Sequence, residues 1–131
     1  MLRPVSAFSP VCLLDDEPSV LKALGRLLAS EGVVTEQFTE PARFLGYAQS
    51  HPVSLVVLDI RMPGMSGFQV QDALRTLQPR ARVIVITAED DSAHRQMAMN
   101  AGASAFFLKP VNNDNFLAAV HTALQPDGPF N

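Results

Sequence analysis

Val53-Ser54-Leu55-Val56-Val57-Leu58-Asp59-Ile60-Arg61-Met62-Pro63-Gly64-Met65-Ser66-Gly67 is the stretch on which the fold turns. Val53 to Leu58 is a continuous apolar run rich in branched residues, the composition of a parallel strand covered on both faces. It stops abruptly at an acid, Asp59. Glycine that permits positive φ and proline that stiffens the path mark Met62 to Gly67 as a loop. Helical spacing follows from Ser66 to Leu77, with Val70, Ala73, Leu74 and Leu77 aligned and Pro79 closing the segment. The unit reads strand, acid, loop, helix.

Strand-like runs and helical segments alternate on both sides of it. Val11 to Leu14, Val83 to Ile86 and Ala105 to Leu108 are further apolar runs, and Val33 to Phe38, interrupted by Thr35, Glu36 and Gln37, has the mixed character of an edge strand. Glu17 to Ser30 places Val20, Leu21, Leu24, Leu27 and Leu28 on one stripe before Gly32, and Thr39-Glu40-Pro41 opens a helix with Phe44, Leu45 and Ala48 inward. Asp91 to Ala101 is a weaker helix whose inward face is chiefly Ala93, Met97 and Ala101, and Asn113 to Leu124 turns Phe116, Leu117, Val120 and Leu124 inward. Strand and helix alternate without an internal repeat, which predicts a doubly wound α/β sheet with right-handed crossovers.

Bulk properties agree with one domain. The 131 residues are 47% hydrophobic and 18% charged, enough for a sizeable core, and the net charge of -3 with no dense basic block argues against direct nucleic-acid binding. Cys12, the lone cysteine, sits in an apolar run and reads as a buried inert thiol. Residues 1–8 are expected to be a leader, 9–124 the domain and 125–131 a tail or the start of a linker. The leader lacks the apolar stretch of a signal peptide and no segment approaches a membrane span, so the cytoplasm is the expected compartment and no membrane partner is expected.

Ligands in doubly wound sheets gather beyond the carboxyl ends of the strands. The residues there are Asp15, Asp16 and Glu17 after the first strand, Asp59 after the third, Thr87 and Ala88 after the fourth, and Lys109-Pro110 after the fifth. Carboxylates gathered on one rim repel, so they call for a bound cation or a shared proton, and all-oxygen ligation favours magnesium. A single such Asp is more often a turn former, and Asp16 is also placed to cap the helix containing Pro18. The conjunction outweighs that reading: a nucleophilic carboxylate, a metal, a hydroxyl and a cation are what phosphoryl transfer needs, and Asp59, Thr87 and Lys109 complete the set.

The acidic pair Asp15-Asp16, the stretch Leu58 to Gly67, Ile86-Thr87-Ala88, Ala101-Gly102-Ala103 and Lys109-Pro110, in this order, resemble response-regulator receiver domains over essentially residues 9–124. The resemblance implies a flavodoxin-like five-stranded parallel sheet in the order 2-1-3-4-5 with five helices. It implies phosphorylation of Asp59, magnesium held directly by Asp16 and Asp59, through water by Asp15, and by the backbone carbonyl of Arg61. Thr87 would then hydrogen-bond the phosphoryl group, Lys109 pair with it, and small Ala88 leave room for it. Thr87 and Phe107 are the implied switch residues, and the fourth helix, fifth strand and fifth helix the implied output face, with His94, Arg95, Phe107 and His121 as its exposed candidates. Arg61 and Glu89 occupy positions from which relatives tune the lifetime of the phosphoryl group. The implied partners are a sensor histidine kinase or phosphotransfer protein, with a C-terminal output domain, a separate effector and a phosphorylation-dependent homodimer left open.

Two other classes are weighed against this. A phosphohydrolase of the haloacid-dehalogenase type needs a second acid two positions after its nucleophile, where this chain has Arg61. A purely structural interaction module has no need of the full set Asp15, Asp16, Asp59, Thr87 and Lys109. His51, His94 and His121 are expected on surface helices or loops, with no catalytic part.

Overall fold

Alternation of side chains along five short strands divides the interior into two layers. The computed structural model describes residues 9–125; the expected leader and residues 126–131 of the expected tail lie outside the described residues. The elements are β1 (Val11–Leu14), α1 (Pro18–Ala29), β2 (Thr35–Phe38), α2 (Pro41–Ala48), β3 (Leu55–Asp59), α3 (Gly67–Leu77), β4 (Arg82–Thr87), α4 (Ser92–Asn100), β5 (Ala105–Leu108) and α5 (Asn113–Leu124). All strand pairs are parallel, in the order β2-β1-β3-β4-β5, as expected.

On one face, Cys12, Leu14, Val56, Leu58, Val83, Val85 and Phe106 pack beneath Phe44, Val70, Leu74 and Ala98 from α2, α3 and α4. On the other, Val11, Leu13, Leu55, Val57, Ile84 and Ile86 meet Leu21, Leu24 and Leu28 of α1 and Phe116, Val120 and Ala123 of α5. Both faces are covered, which is why these strands read as unbroken apolar runs rather than alternating ones. β2 lies at the sheet edge and leaves Glu36 and Gln37 exposed. Cys12 is fully buried, and burial, reinforced by the nearby charge of Glu36, pushes its thiol up to about 12. Among the described residues no helix is long and apolar enough to cross a membrane.

Three local expectations change. The N-cap of α1 is Glu17 rather than Asp16, with Pro18 in the first turn, and the Glu17 side chain makes no capping hydrogen bond. α4 turns Ala98 inward, while Ala93 and Met97 are exposed. Its inner stripe therefore runs through His94, Ala98 and Ala101, and the Ala98 carbonyl accepts a hydrogen bond from buried Gln71 Nε2 of α3 at 3.3 Å. A helix with so few large apolar residues takes its rotation from such polar and small-residue contacts, which periodicity does not weigh. Leu77, expected inward, is exposed at the end of α3.

The C-terminal end of α2 is closed by a residue far along the chain. Gln78 Nε2 donates to the carbonyls of Ala48 at 2.8 Å and His51 at 2.9 Å, satisfying groups that the end of α2 leaves open.

Candidate functional site

Strand ends place the chemistry. β3 ends on Asp59 and β4 on Thr87, while Asp15 and Lys109 follow β1 and β5 directly, so four side chains rise from neighbouring strands at one rim. Asp15, Asp59 and Thr87 are all buried. α3 approaches this rim closely because Gly67, at its first position, donates its N–H to the Ile60 carbonyl at 2.8 Å. Ser66 caps the helix through a reciprocal exchange with Gln69, which holds that entry in place. Gly64, with φ of 86°, turns the intervening loop.

Lys109 is the electrostatic centre. Its Nζ lies 2.8 Å from Asp15 Oδ2, 3.1 Å from Glu17 Oε1 and 3.3 Å from Asp59 Oδ2. Burial works against the ammonium charge, but the contacts with Asp15 and Glu17 and the charge of Asp59 outweigh it and raise the pKa above that of an ordinary lysine. The Lys109–Pro110 bond is cis.

Asp59 is raised, first by burial and then by the charge of Asp15; Lys109 and the Arg61 N–H, which donates to Asp59 Oδ1 at 3.3 Å, pull the other way without cancelling it. Asp15 Oδ1 accepts from the Glu17 N–H at 2.9 Å. Asp15 Oδ2 is buried with no well-directed hydrogen bond, so its contact with Lys109 is ionic only.

The carboxylates that converge are Asp15, Glu17 and Asp59, with one oxygen from each within 4.8 Å of the others. Asp16 is exposed and lines the mouth of the same cavity, a space of about 210 Å3 bounded also by Glu17, Asp59, Arg61, Thr87, Ala88, Glu89 and Lys109. The site fits a divalent cation. Its donors are all oxygens, one buried carboxylate oxygen has no hydrogen bond, and burial together with the charge of Asp15 raises the Asp59 carboxyl, an effect a cation would offset.

Thr87 Oγ1 accepts from the Glu89 N–H at 3.3 Å, which leaves its hydroxyl hydrogen free to donate into the cavity. Above the cavity Arg61 Nε meets Glu89 Oε1 at 2.8 Å, joining the loop after β3 to the loop after β4. Both side chains are well exposed.

Phe107 is half-buried rather than exposed, its ring edge-on to Phe116 of α5 at 6.0 Å, while Phe106 points to the opposite layer beneath the Arg95 guanidinium. His94 is also half-buried, against Phe68. Arg95 and His121 are exposed as expected, and His121 lies 3.2 Å from Glu31. His51 stacks on Tyr47. Among the described residues, no histidine lines the Asp59 cavity.

Glu17 is the residue the sequence reading left without a role. Its only signal was its position as a third consecutive acid after β1.

Comparison with known proteins follows the same lines. Residues 11–121 match the family described as the response regulator receiver domain. The chain is 36% identical over 117 residues to the response regulator protein TodT of Pseudomonas putida, covering 89% of this chain and 52% of that protein. It thus spans about half the length of such curated relatives. A CheY-like receiver domain protein from Methanospirillum hungatei superposes with a TM-score of 0.83 at 25% identity, covering 88% of this chain and 93% of the other. A response regulator from Burkholderia pseudomallei, solved with a phosphorylated aspartic acid, calcium ion and citrate, superposes with a TM-score of 0.79 at 27% identity, covering 88% and 68%.

Proposed function

The chain belongs to the response regulator receiver family, the signalling domains of two-component systems, and from this premise we propose that Asp59 accepts a phosphoryl group from a histidine-phosphorylated kinase or phosphotransfer protein. The observation that carries the reading is the placement of Asp59: a buried carboxylate at the end of β3, 3.3 Å from Lys109 Nζ, facing the same small cavity as Thr87. In the transfer an Asp59 carboxylate oxygen forms the new bond to phosphorus as the phosphorus–nitrogen bond of the donor breaks, and its electron pair stays with the departing imidazole. Lys109 supplies positive charge to the phosphoryl oxygens, the Thr87 hydroxyl donates a hydrogen bond, and exposed Ala88 at the cavity edge admits the group. Asp15, Asp16, Asp59 and the Arg61 carbonyl are the proposed holders of magnesium, which when bound neutralises charge on the phosphoryl oxygens. The phosphorylated aspartate and calcium in the Burkholderia relative support this assignment by similarity.

The reaction is tested by mass. A small acyl phosphate plus magnesium is expected to add one phosphoryl group to the protein, and the adduct is expected to be absent in Asp59→Ala. An adduct of equal yield in that variant would refute the assignment.

The aspartyl phosphate is proposed to bias the face formed by α4, β5 and α5 through Thr87 and Phe107. The ring of Phe107 lacks a hydroxyl, so its packing against Phe116 sets its resting position. Output passes to a C-terminal domain, a separate effector or a second copy of the chain. The Arg61–Glu89 pair across the cavity mouth is proposed to slow the attacking water. Arg61→Ala combined with Glu89→Ala is expected to shorten the lifetime of the phosphoryl group by about two- to five-fold, the range open to an exposed ion pair. An unchanged dephosphorylation rate would count against the gate.

A further inference from the structure

Lys109 has three acidic neighbours, and they are not equivalent. Asp15 and Asp59 sit at strand ends, buried, and either would be left as an uncompensated buried charge if the ammonium withdrew. Glu17 differs on every count. Its side chain is 57% exposed, it approaches from the start of α1, and its carboxylate takes no part in capping that helix. Losing Lys109 would return Glu17 to water at little cost.

Phosphorylation exchanges the Asp59 carboxylate charge for a phosphoryl group of about 1.5 to 2 negative charges with strong acceptor oxygens in the same cavity. Three carboxylates already share the ammonium, so the phosphoryl oxygens compete with them for its charge, and the exposed, weakly held one is the first to give way. Glu17 and Lys109 also line both the phosphoacceptor cavity and a neighbouring groove of about 460 Å3, bounded by Val20, Leu24 and Leu27 of α1 and by Pro110 and Val111. Their contact is part of the wall between the two spaces.

We propose that Glu17 is a positioning residue that holds Lys109 in the unphosphorylated state and is released when Asp59 is phosphorylated, so that the state of Asp59 is felt at the α1 groove. The proposal rests on the phosphoacceptor reading. It assigns Glu17 no contact with the transferred group: Glu17 acts through Lys109, and the energy needed to break the bridge is part of the barrier to phosphorylation.

Two measurements on the whole chain test it. The first is NMR of the Lys109 ammonium and the Glu17 carboxyl carbon, where coupling across the bridge is expected in the resting protein and is expected to vanish once an acyl phosphate with magnesium has formed the adduct. The second is the phosphorylation rate of two variants. Glu17→Gln keeps the length but not the charge; Glu17→Asp keeps the charge but is one methylene too short to bridge. Both are expected to be phosphorylated about two- to five-fold faster than wild type, the range open to a half-exposed pair, with unchanged urea midpoints. Persistence of the coupling in the phosphorylated protein would overturn the proposal. So would a wild-type rate in Glu17→Asp, since that would make charge repulsion of the donor the whole effect. If the wild-type chain takes up no phosphoryl group, the phosphoacceptor reading itself fails and release fails with it. Uptake with an intact bridge overturns the release alone.

Discussion

Gly67→Ala is expected to lower stability by about 1–3 kcal/mol and to slow phosphorylation of Asp59 by roughly 10- to 100-fold. A Cβ on Gly67 would stand 2.7 Å from the Asp59 carbonyl oxygen and 2.8 Å from both Ile60 Cα and Leu58 Cδ1. Two of those three atoms are backbone at the end of β3 and cannot swing aside. Relief must come from α3 backing away from the sheet, which stretches the Gly67 N–H to Ile60 carbonyl bond of 2.8 Å, or from β3 shifting and carrying Asp59 with it. Either path moves the proposed nucleophile relative to Lys109 and Thr87, and in-line transfer tolerates little misplacement. Urea denaturation reads the first effect and phosphorylation kinetics the second. Gly46→Ala is the control: a Cβ there meets nothing within 4 Å, and an alanine inside α2 is expected to be neutral or stabilising by up to ~1 kcal/mol. A Gly67→Ala protein as stable and as fast as wild type would show that the approach of α3 does not position Asp59.

Lys109→Met is expected to cost roughly 3 kcal/mol of stability at neutral pH without divalent cations, and most of that is expected to return with magnesium. The variant keeps the buried carboxylates of Asp15 and Asp59 and removes the ammonium between them. Asp59 is already raised by burial and by Asp15 with Lys109 present, so without it the folded state holds that proton more tightly still. The sign follows. A carboxyl whose folded pKa lies above its unfolded value contributes stability at low pH and loses it as pH rises through the folded value, so the deficit of Lys109→Met is expected to be wide near pH 7.5 and to narrow towards about pH 4. Magnesium at about 10 mM should stabilise the variant more than the wild type, whose ammonium already offsets part of the charge. Denaturation curves with and without magnesium at both pH values give the answer. A deficit that ignores magnesium and pH alike would mean that Lys109 matters through packing of its alkyl stem.

Much of this was legible from residue order. The run Leu55 to Leu58 must be buried on both faces, and its termination at Asp59 identifies a strand end whatever the rest of the chain does. The helix of Leu21, Leu24 and Leu28 was legible for the same reason, since many large apolar residues on one stripe leave a single way to bury them. α4 was not. Ala98 is its one buried residue, and the bond from Gln71 that meets it comes from 27 positions away. Gly67, expected in the loop after β3, is the first residue of α3, and its need is for close approach rather than positive φ; nothing local distinguishes the two.

By itself the sequence determined the alternation of strands and helices, and so the doubly wound sheet, and it determined which residue types stand at the strand ends: Asp15, Asp59, Thr87 and Lys109. These follow from continuous apolar runs and a period of 3.6 residues, which are properties of short segments. The tertiary structure alone decided which acids meet. Asp16 stands exposed at the cavity mouth while Glu17 reaches Lys109 across 92 positions of chain, because the direction of a side chain after a strand is set by the turn into α1, which packs over β1 and β2, and Lys109 reaches back to it from the end of β5. Charge is a local fact of the chain. The distance between charges is a product of the whole fold.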